Sequence, residues 1–531
     1  MATLDAIIIG AGFSGLYQLY TLRDQLNLNC HLFEAADEVG GTWHWNQYPG
    51  ARCDTESQAY CYYFNKKIYN EWNWTERYPS QQEVKDYLKF VAKKLNLFRS
   101  ISFSSNVKEM KYFDKTNKWK IQLDGGNTFD ARFVIMATGC LSSENLPIIA
   151  NQEKFKGKIL HTGKWPKENI KFNDLDVGVV GTGSTGIQVI PEIAKTVKSL
   201  TVFQRTPNYS IPARNQKLNL KELNLHKNNF EYLKNVSINN RHGHPWKHSN
   251  TPIHQVGSVK DSMVLNKAWE HGGLSFRDSF SNINYDECAN SVVSNFIINK
   301  IQETVNDPVT ANDLSDFDYP FGAKRPALDT HYFETFNQEN VKLISIKKTP
   351  IDSFNHNGVL VNSIHYPLDI VVFATGFDAI TGSLLKINII GKKGKNLKSE
   401  WKKEPINLLG LQIPNFPNLF TITGPGSPSV LTNMPRAIEQ HVDWVTMCIS
   451  KLINMKKNKI EASHSAALAW LDEVKLESER TMFLKTSNSW YLGTNVKGKP
   501  KGFIPYSGGL DKYTNICNAI AQNGYKGFII S

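Results

Sequence analysis

Two segments of the chain share one alternation of apolar and polar positions. The run "DAIIIGAGFSGLYQLYTLRDQLNLNCHLFEA" opens on an apolar stretch, Ile7–Ile9, and breaks at three glycines. It then continues with apolar residues at helical spacing and closes on a second apolar pair, Leu32–Phe33. The run "DVGVVGTGSTGIQVIPEIAKTVKSLTVFQRT" repeats the scheme. A strand without polar alternation is one buried on both faces, as in a parallel sheet covered by helices. Each run therefore predicts a strand, a tight loop, a helix and a second strand. "FVIMATG", ending at Gly139, and "IVVFATG", ending at Gly376, predict a further buried strand for each sheet. Residues 215–324 carry no such loop. There Val292, Val293, Phe296, Ile297 and Ile301 fall on one side of a helix, which predicts a mainly helical insert.

The glycines give the loops their chemistry. Gly10, Gly12 and Gly15, like Gly181, Gly183 and Gly186, form GxGxxG at the start of a helix. The first permits the turn, the second admits a pyrophosphate, and the third lets helix and strand approach, with the helix N-terminus toward the anion. Glu34 follows the first loop where a carboxylate bonds ribose hydroxyls. At the equivalent place after the second loop stands Arg205, followed by Thr206. A guanidinium suits a 2′-phosphate that a carboxylate would repel, so this site is expected to prefer NADPH to NADH. Ser184 and Thr185 bring hydroxyls near the phosphates, and Gln188 lies in the first helical turn. The expected fold is α/β, with two dinucleotide-binding (Rossmann-like) domains, one for FAD and one for NADP, and hydride passing from nicotinamide to flavin.

Composition narrows the classes. A chain of 531 residues is too long for one core. The net charge of +12 comes from dispersed lysines rather than a basic run, so no nucleic-acid partner is expected. Seven cysteines without a CxxC pair argue against a disulfide framework, a zinc ribbon and a redox dithiol. No apolar run is long enough to span a bilayer, and no signal segment precedes the first strand. A cytoplasmic protein without a membrane partner is expected.

"FKGKILHTGKWP", residues 155–166, places Phe155, Gly157, His161, Trp165 and Pro166 at fixed intervals just before the second loop. It resembles the fingerprint of the Type I Baeyer–Villiger monooxygenases at every fixed position. The likeness runs essentially end to end, through "GGTWHWNQYPGARCDTES", "VFQRTPNYSIPARN", "YPFGAKRPALDTHYFETFN", "ATGFDAITG", "GPGSPSVLTNM" and "SWYLGTNVKGKP". It is greatest toward the phenylacetone and cyclohexanone monooxygenase branch. The resemblance implies that FAD, NADPH and O2 convert a ketone to an ester or lactone, through a C4a-peroxyflavin and a Criegee adduct. Such a reaction needs a fixed cation beside developing negative charge, and exclusion of water.

The same resemblance implies roles residue by residue. Arg325 is the catalytic cation and Asp54 the acid that orients it near the flavin. Ser14, Thr42, Trp43, Trp45, Tyr60, Val107 and Met434 join Gly10, Gly12, Gly15, Glu34 and Asp54 around FAD. Arg52, Thr182, Thr206, Lys324 and Trp490 join Gly183, Ser184, Thr185, Gly186, Gln188, Arg205 and Arg325 around NADP, with Trp490 on a loop that folds over the cofactor. Ser429, Val430 and Leu431 are expected to wall the ketone pocket. Cys140 stands where the phenylacetone branch has glutamine, which leaves substrate preference open. His161 is implied in domain movement rather than bond making.

The expected domains are FAD-binding, 1–145 and 380–531; NADP-binding, 146–214 and 325–379; and the helical insert, 215–324. The chain is expected to act as a monomer or weak homo-oligomer. Rival readings are a flavin monooxygenase acting on sulfur or nitrogen, a disulfide reductase, and a non-catalytic flavin or NADPH sensor. Trp165-Pro166 and Lys324-Arg325 speak against the first, the missing cysteine pair against the second, and the combination of Asp54 and Arg325 against the third.

Overall fold

The computed structural model describes residues 4–253 and 258–531; residues 1–3, in the expected FAD domain, and 254–257, in the expected insert, lie outside them. Apolar strands that lack alternation are indeed covered on both sides. In the strand Leu4–Ile9, Ala6 and Ile8 enter one apolar cluster while Ile7 and Ile9 enter another on the opposite face. This strand lies between Cys30–Phe33 and Thr128–Met136, parallel to both, with Ile9 opposite Phe33 and Met136. The short strand Leu419–Thr421 also pairs with Thr128–Met136. Leu32–Phe33 is thus the end of a longer strand that begins at Cys30. The eight-stranded sheet is completed by Ile101–Ser102, Val107–Phe113, Lys118–Leu123 and Asn388–Ile390.

The second sheet has five strands, all parallel, in the order Val341–Ser345, Ser199–Gln204, Asp176–Val180, Ile370–Phe373 and Lys158–His161. Val179, Val202 and Val372 face one apolar cluster; Val180, Phe203 and Phe373 face another. A three-stranded antiparallel meander, Ile351–Asn355, Gly358–Val361 and Ile364–Pro367, packs on the latter. The described part of 215–324 forms helices at Leu220–Asn228, Phe230–Ile238, Val259–His271, Glu287–Thr304 and Pro308–Ser315. In Glu287–Thr304, Val293, Ile297 and Ile301 are buried at helical spacing, while Val292 and Phe296 are only partly covered.

The two glycine loops are built alike. A Cβ on Gly15 would lie 1.8 Å from the Gly10 carbonyl oxygen, and one on Gly186 would lie 2.2 Å from that of Gly181. Helix and strand therefore meet at a separation that a side chain would prevent.

The fingerprint stretch is a joint. Phe155 enters the core beside Phe354, ring centroids 5.5 Å apart, while Trp165 rests near Phe172 in a different cluster. A Cβ on Gly157 would lie 2.2 Å from the Asp369 carbonyl oxygen and 2.4 Å from the Phe155 ring. Gly157→Ala is expected to destabilise the five-stranded sheet by about 1–3 kcal/mol, the usual cost of overpacking. A denaturant midpoint unchanged from the parent would contradict this account of the glycine.

Candidate functional site

The first glycine loop opens on a cavity of about 520 Å³. Gly10, Gly12, Ser14, Glu34, Thr42, Trp43 and Trp45 line it. Tyr60, Val107 and Met434 complete the set expected from the sequence, and Cys140 lines this same cavity. Gly15, packed against the Gly10 carbonyl, and Asp54 are not among the cavity's lining residues. The Trp43 indole donates to the Tyr60 hydroxyl at 3.3 Å, which fixes both rings at the wall. Glu34 is buried, and its oxygens accept the Ala11 and Ala36 amides at 2.5 and 2.8 Å. Burial raises its pKa although those hydrogen bonds pull the other way. Cys140 is also buried, which pushes its thiol up to about 12, so it offers a small neutral group rather than a thiolate.

At the second loop the 11-residue helix Ser184–Ala194 begins directly after Gly183, around which a Cβ would meet nothing within 4 Å. The open approach and the helix N-terminus suit a phosphate. Ser184 and Thr185 occupy the first turn. Thr182 is buried and donates to the Thr206 carbonyl at 3.1 Å, tying the loop to the end of the Arg205 strand. Arg205 is exposed. Lys324 stands over the Tyr319 ring with Nζ 3.8 Å from its centroid. Burial lowers the Lys324 pKa to about 8, against the pull of Asp318 and helped by the charge of Arg205. The two cations therefore feel one another where the sequence places a 2′-phosphate.

Two other expected residues spend their polar atoms on the protein itself. Gln188 donates to the Arg52 carbonyl at 3.1 Å and accepts the Tyr48 hydroxyl at 2.8 Å, joining the second loop's helix to the 48–52 turn. Arg52 pairs with Glu76 at 3.0 Å and donates to the Tyr78 carbonyl.

Between the two loops lies an ion pair whose partners are 271 residues apart in sequence. Arg325 Nε donates to Asp54 Oδ2 at 2.7 Å and Nη2 to Oδ1 at 3.0 Å, a two-pronged geometry that fixes the guanidinium plane. Its remaining arm reaches the Val430 carbonyl at 3.4 Å. Burial is the largest single influence and disfavours both charges, yet the partner's charge and the hydrogen bonds between the two together outweigh it: Asp54 is held below the usual carboxylate range and Arg325 above its own. The stabilisation that comes from a depressed Asp54 is complete above the unfolded carboxylate's pKa. It is lost only as pH falls through the still lower folded value, so the pair stays charged at neutral pH.

Ser429, Val430 and Leu431 form a buried turn, with the Ser429 and Ser427 hydroxyls 3.0 Å apart. Trp490 is half-buried with its ring 4.4 Å from that of Tyr491. Tyr491, which the sequence did not single out, is buried beside Trp490 and close enough to Arg325 to feel its charge. Burial raises it to about 12 against the pull of Arg325 and Arg277, so it remains a neutral donor. Its only signal was its place beside Trp490.

The segment after Trp490 is tied to the strand end following Ile370–Phe373. Asn495 donates to the Phe377 carbonyl at 2.8 Å, and Lys499 pairs with Asp378 at 2.6 Å. His161 sits in the same joint: its Nδ1 accepts the Gly163 amide, and its Nε2 lies 3.4 Å from the Thr375 hydroxyl. Among the described residues no helix is long and apolar enough to cross a membrane.

The flavin-binding monooxygenase-like family pattern matches residues 5–237. The chain is 38% identical to a cyclohexanone 1,2-monooxygenase of an Acinetobacter species, over 99% of this chain and 96% of that protein. It is 36% identical to a Baeyer–Villiger monooxygenase of Pseudooceanicola batsensis, with the same coverages. A solved structure of an oxidised steroid monooxygenase bound to NADP superposes with a TM-score of 0.94 at 40% identity, over 100% of this chain and 99% of that one.

Proposed function

The chain belongs to the Baeyer–Villiger monooxygenases, and from that premise we propose how its own residues serve FAD, NADPH, O2 and a ketone. The observation that carries the reading is the two-pronged Asp54–Arg325 pair, anchored to the Val430 carbonyl between two dinucleotide loops. When bound, FAD reduced by NADPH would activate O2, so that one of its oxygen atoms is inserted beside the ketone carbonyl and the other leaves as water.

The first loop and the cavity above it hold FAD, since glycines without side chains admit a pyrophosphate and the Trp43–Tyr60 wall suits a flat ring system. Glu34 orients the loop through the Ala11 amide and is placed to receive a ribose hydroxyl. The second loop holds NADPH, with Arg205 and Lys324 on the 2′-phosphate. Arg325 is the catalytic cation: its charge faces the oxygen that becomes negative as the carbonyl is attacked, and Asp54 keeps the guanidinium in place. The buried Tyr491 stands in the field of this cation as a neutral phenol. Ser429, Val430 and Leu431 shape the ketone side of the site, and Trp490 covers it to keep water out.

The holoenzyme, incubated with NADPH, isotopically heavy O2 and a panel of linear and cyclic ketones, is expected to give esters or lactones with one heavy oxygen. A sulfide or amine oxygenated in place of every ketone would reject the reading, and so would NADPH that is never oxidised.

The Lys324 pKa leads to a pH dependence. A phosphate prefers the ammonium, so NADPH binding is expected to be flat below about pH 8 and to weaken roughly tenfold per pH unit above it. The effect ends where the pKa of the bound form is reached. NADH, without the 2′-phosphate, should show no such slope, and Lys324→Met should flatten the NADPH profile. Equal slopes for the two cofactors would contradict the placement of Lys324.

A further inference from the structure

Near the Asp54–Arg325 pair, whose charges reach Arg277, the helical insert gathers His242, His248 and Asp278, whose ligand atoms all lie within 4.8 Å of one another. His248 Nδ1 is 3.2 Å and His242 Nε2 3.7 Å from the same oxygen, Asp278 Oδ1.

The hydrogen bonds around this group fix which atoms carry protons. The Asn240 amide nitrogen donates to the Trp246 carbonyl at 2.9 Å, and its oxygen accepts the His242 and His244 amides. The Asn240 oxygen is therefore an acceptor, and His248 Nε2, 3.0 Å from it, must be the donor. In a neutral ring that leaves a lone pair on Nδ1, facing a carboxylate oxygen at 3.2 Å. Two acceptors at that distance are reconciled either by a proton on Nδ1 or by a metal cation between them. Asp278 is held from behind, because Oδ2 accepts the Trp246 indole at 3.0 Å. A polar partner on the far side of a ligating imidazole is how metal sites set tautomer and ring orientation.

We propose that His242 Nε2, His248 Nδ1 and Asp278 Oδ1 bind a first-row divalent cation of the zinc type, with water completing the coordination. Ligand atoms of tetrahedral zinc lie about 3.4 Å apart for bonds of about 2.0–2.1 Å. The His248–Asp278 spacing of 3.2 Å is close to this, and His242, with Nε2 3.7 Å from the same oxygen, would have to move inward to complete the set. The His248 side chain is 28% exposed, which leaves an entry path. Arg277, with Nε 3.9 Å from the same Asp278 oxygen, opposes the cation. A micromolar rather than tighter affinity is therefore expected.

The role is structural. The segment bearing the two histidines is held to the Met434 helix end through the Asn433 amide, which donates to the His242 carbonyl at 2.8 Å. It is also held to the C-terminal part of the chain through Arg241, which donates to the Ser507 carbonyl at 2.7 Å. A cation on Asp278 would thus clasp the insert onto the segments that carry Met434 and Ser507.

The test uses FAD-loaded protein freed of metal by chelator and dialysed to equilibrium against Zn2+, with bound zinc measured by elemental analysis. The proposal expects one equivalent at micromolar Zn2+, weakened more than about 100-fold in both His242→Ala and His248→Ala. His331→Ala, which removes an exposed histidine elsewhere, should keep it. Unchanged flavin content in His248→Ala would show that the variant is folded. Absence of stoichiometric zinc, or its retention in both histidine variants, overturns the proposal and leaves an imidazolium–carboxylate pair at this place.

Discussion

Arg325→Ala is expected to abolish ester formation, by at least about 100- to 1000-fold in kcat, while NADPH is still oxidised. That magnitude is what removing one fixed donor from developing negative charge costs in a site closed to water. The selectivity follows from position: the guanidinium is paired with Asp54 and reaches the Val430 carbonyl on the ketone side of the site, whereas Arg205 and Lys324 are the cations assigned to the cofactor phosphate. NADPH oxidation should then release hydrogen peroxide in place of ester, measurable side by side in one assay. Arg325→Lys is expected to recover little, because an ammonium cannot make both bonds to Asp54 and lacks the third arm. Removing the cation also leaves a half-buried carboxylate unpaired. Flavin content and thermal midpoint must therefore accompany the kinetics, with Arg325→Ala/Asp54→Ala as the paired control. Retained ester formation in a folded, flavin-loaded variant would remove Arg325 from the role assigned to it.

Arg205→Glu is expected to reverse the choice of nicotinamide cofactor. A charge-assisted hydrogen bond to phosphate contributes about 1.5–3 kcal/mol, so its loss weakens NADPH about 10- to 150-fold. The new carboxylate adds repulsion, taking the expected rise in Kd beyond about 100-fold. NADH should change by less than about threefold, since a carboxylate there can accept the ribose hydroxyls instead. Arg205 is exposed, so the substitution carries no folding penalty to confuse the result. Parallel loss of both cofactors would mean that the arginine supports the strand end and not the phosphate.

Much of this was legible before any coordinates. Doubly apolar strands, two glycine loops and the acid or base that follows each are local features, because a tight turn and a phosphate cradle are made by neighbours in sequence. Phe155, Gly157 and Trp165 could likewise be recognised from their spacing alone, although the reason for Gly157, an Asp369 carbonyl 2.2 Å from where its Cβ would be, could not. Asp54 and Arg325 were each visible only through resemblance, since a lone Asp in a turn and a basic pair before a proline are ordinary.

What sequence by itself determined, then, was the two nucleotide-binding units and the sign of charge each presents. Tertiary structure decided the rest. It brought Asp54 to Arg325 across 271 residues, set Tyr491 rather than only Trp490 in the vicinity of the guanidinium, and put Cys140 in the wall of the first cavity. It also spent Gln188 and Arg52 on joining one element to another. The physical reason is range. Periodicity and turn chemistry act over a few residues, whereas ion pairing and burial depend on which distant segments the packed sheets bring together.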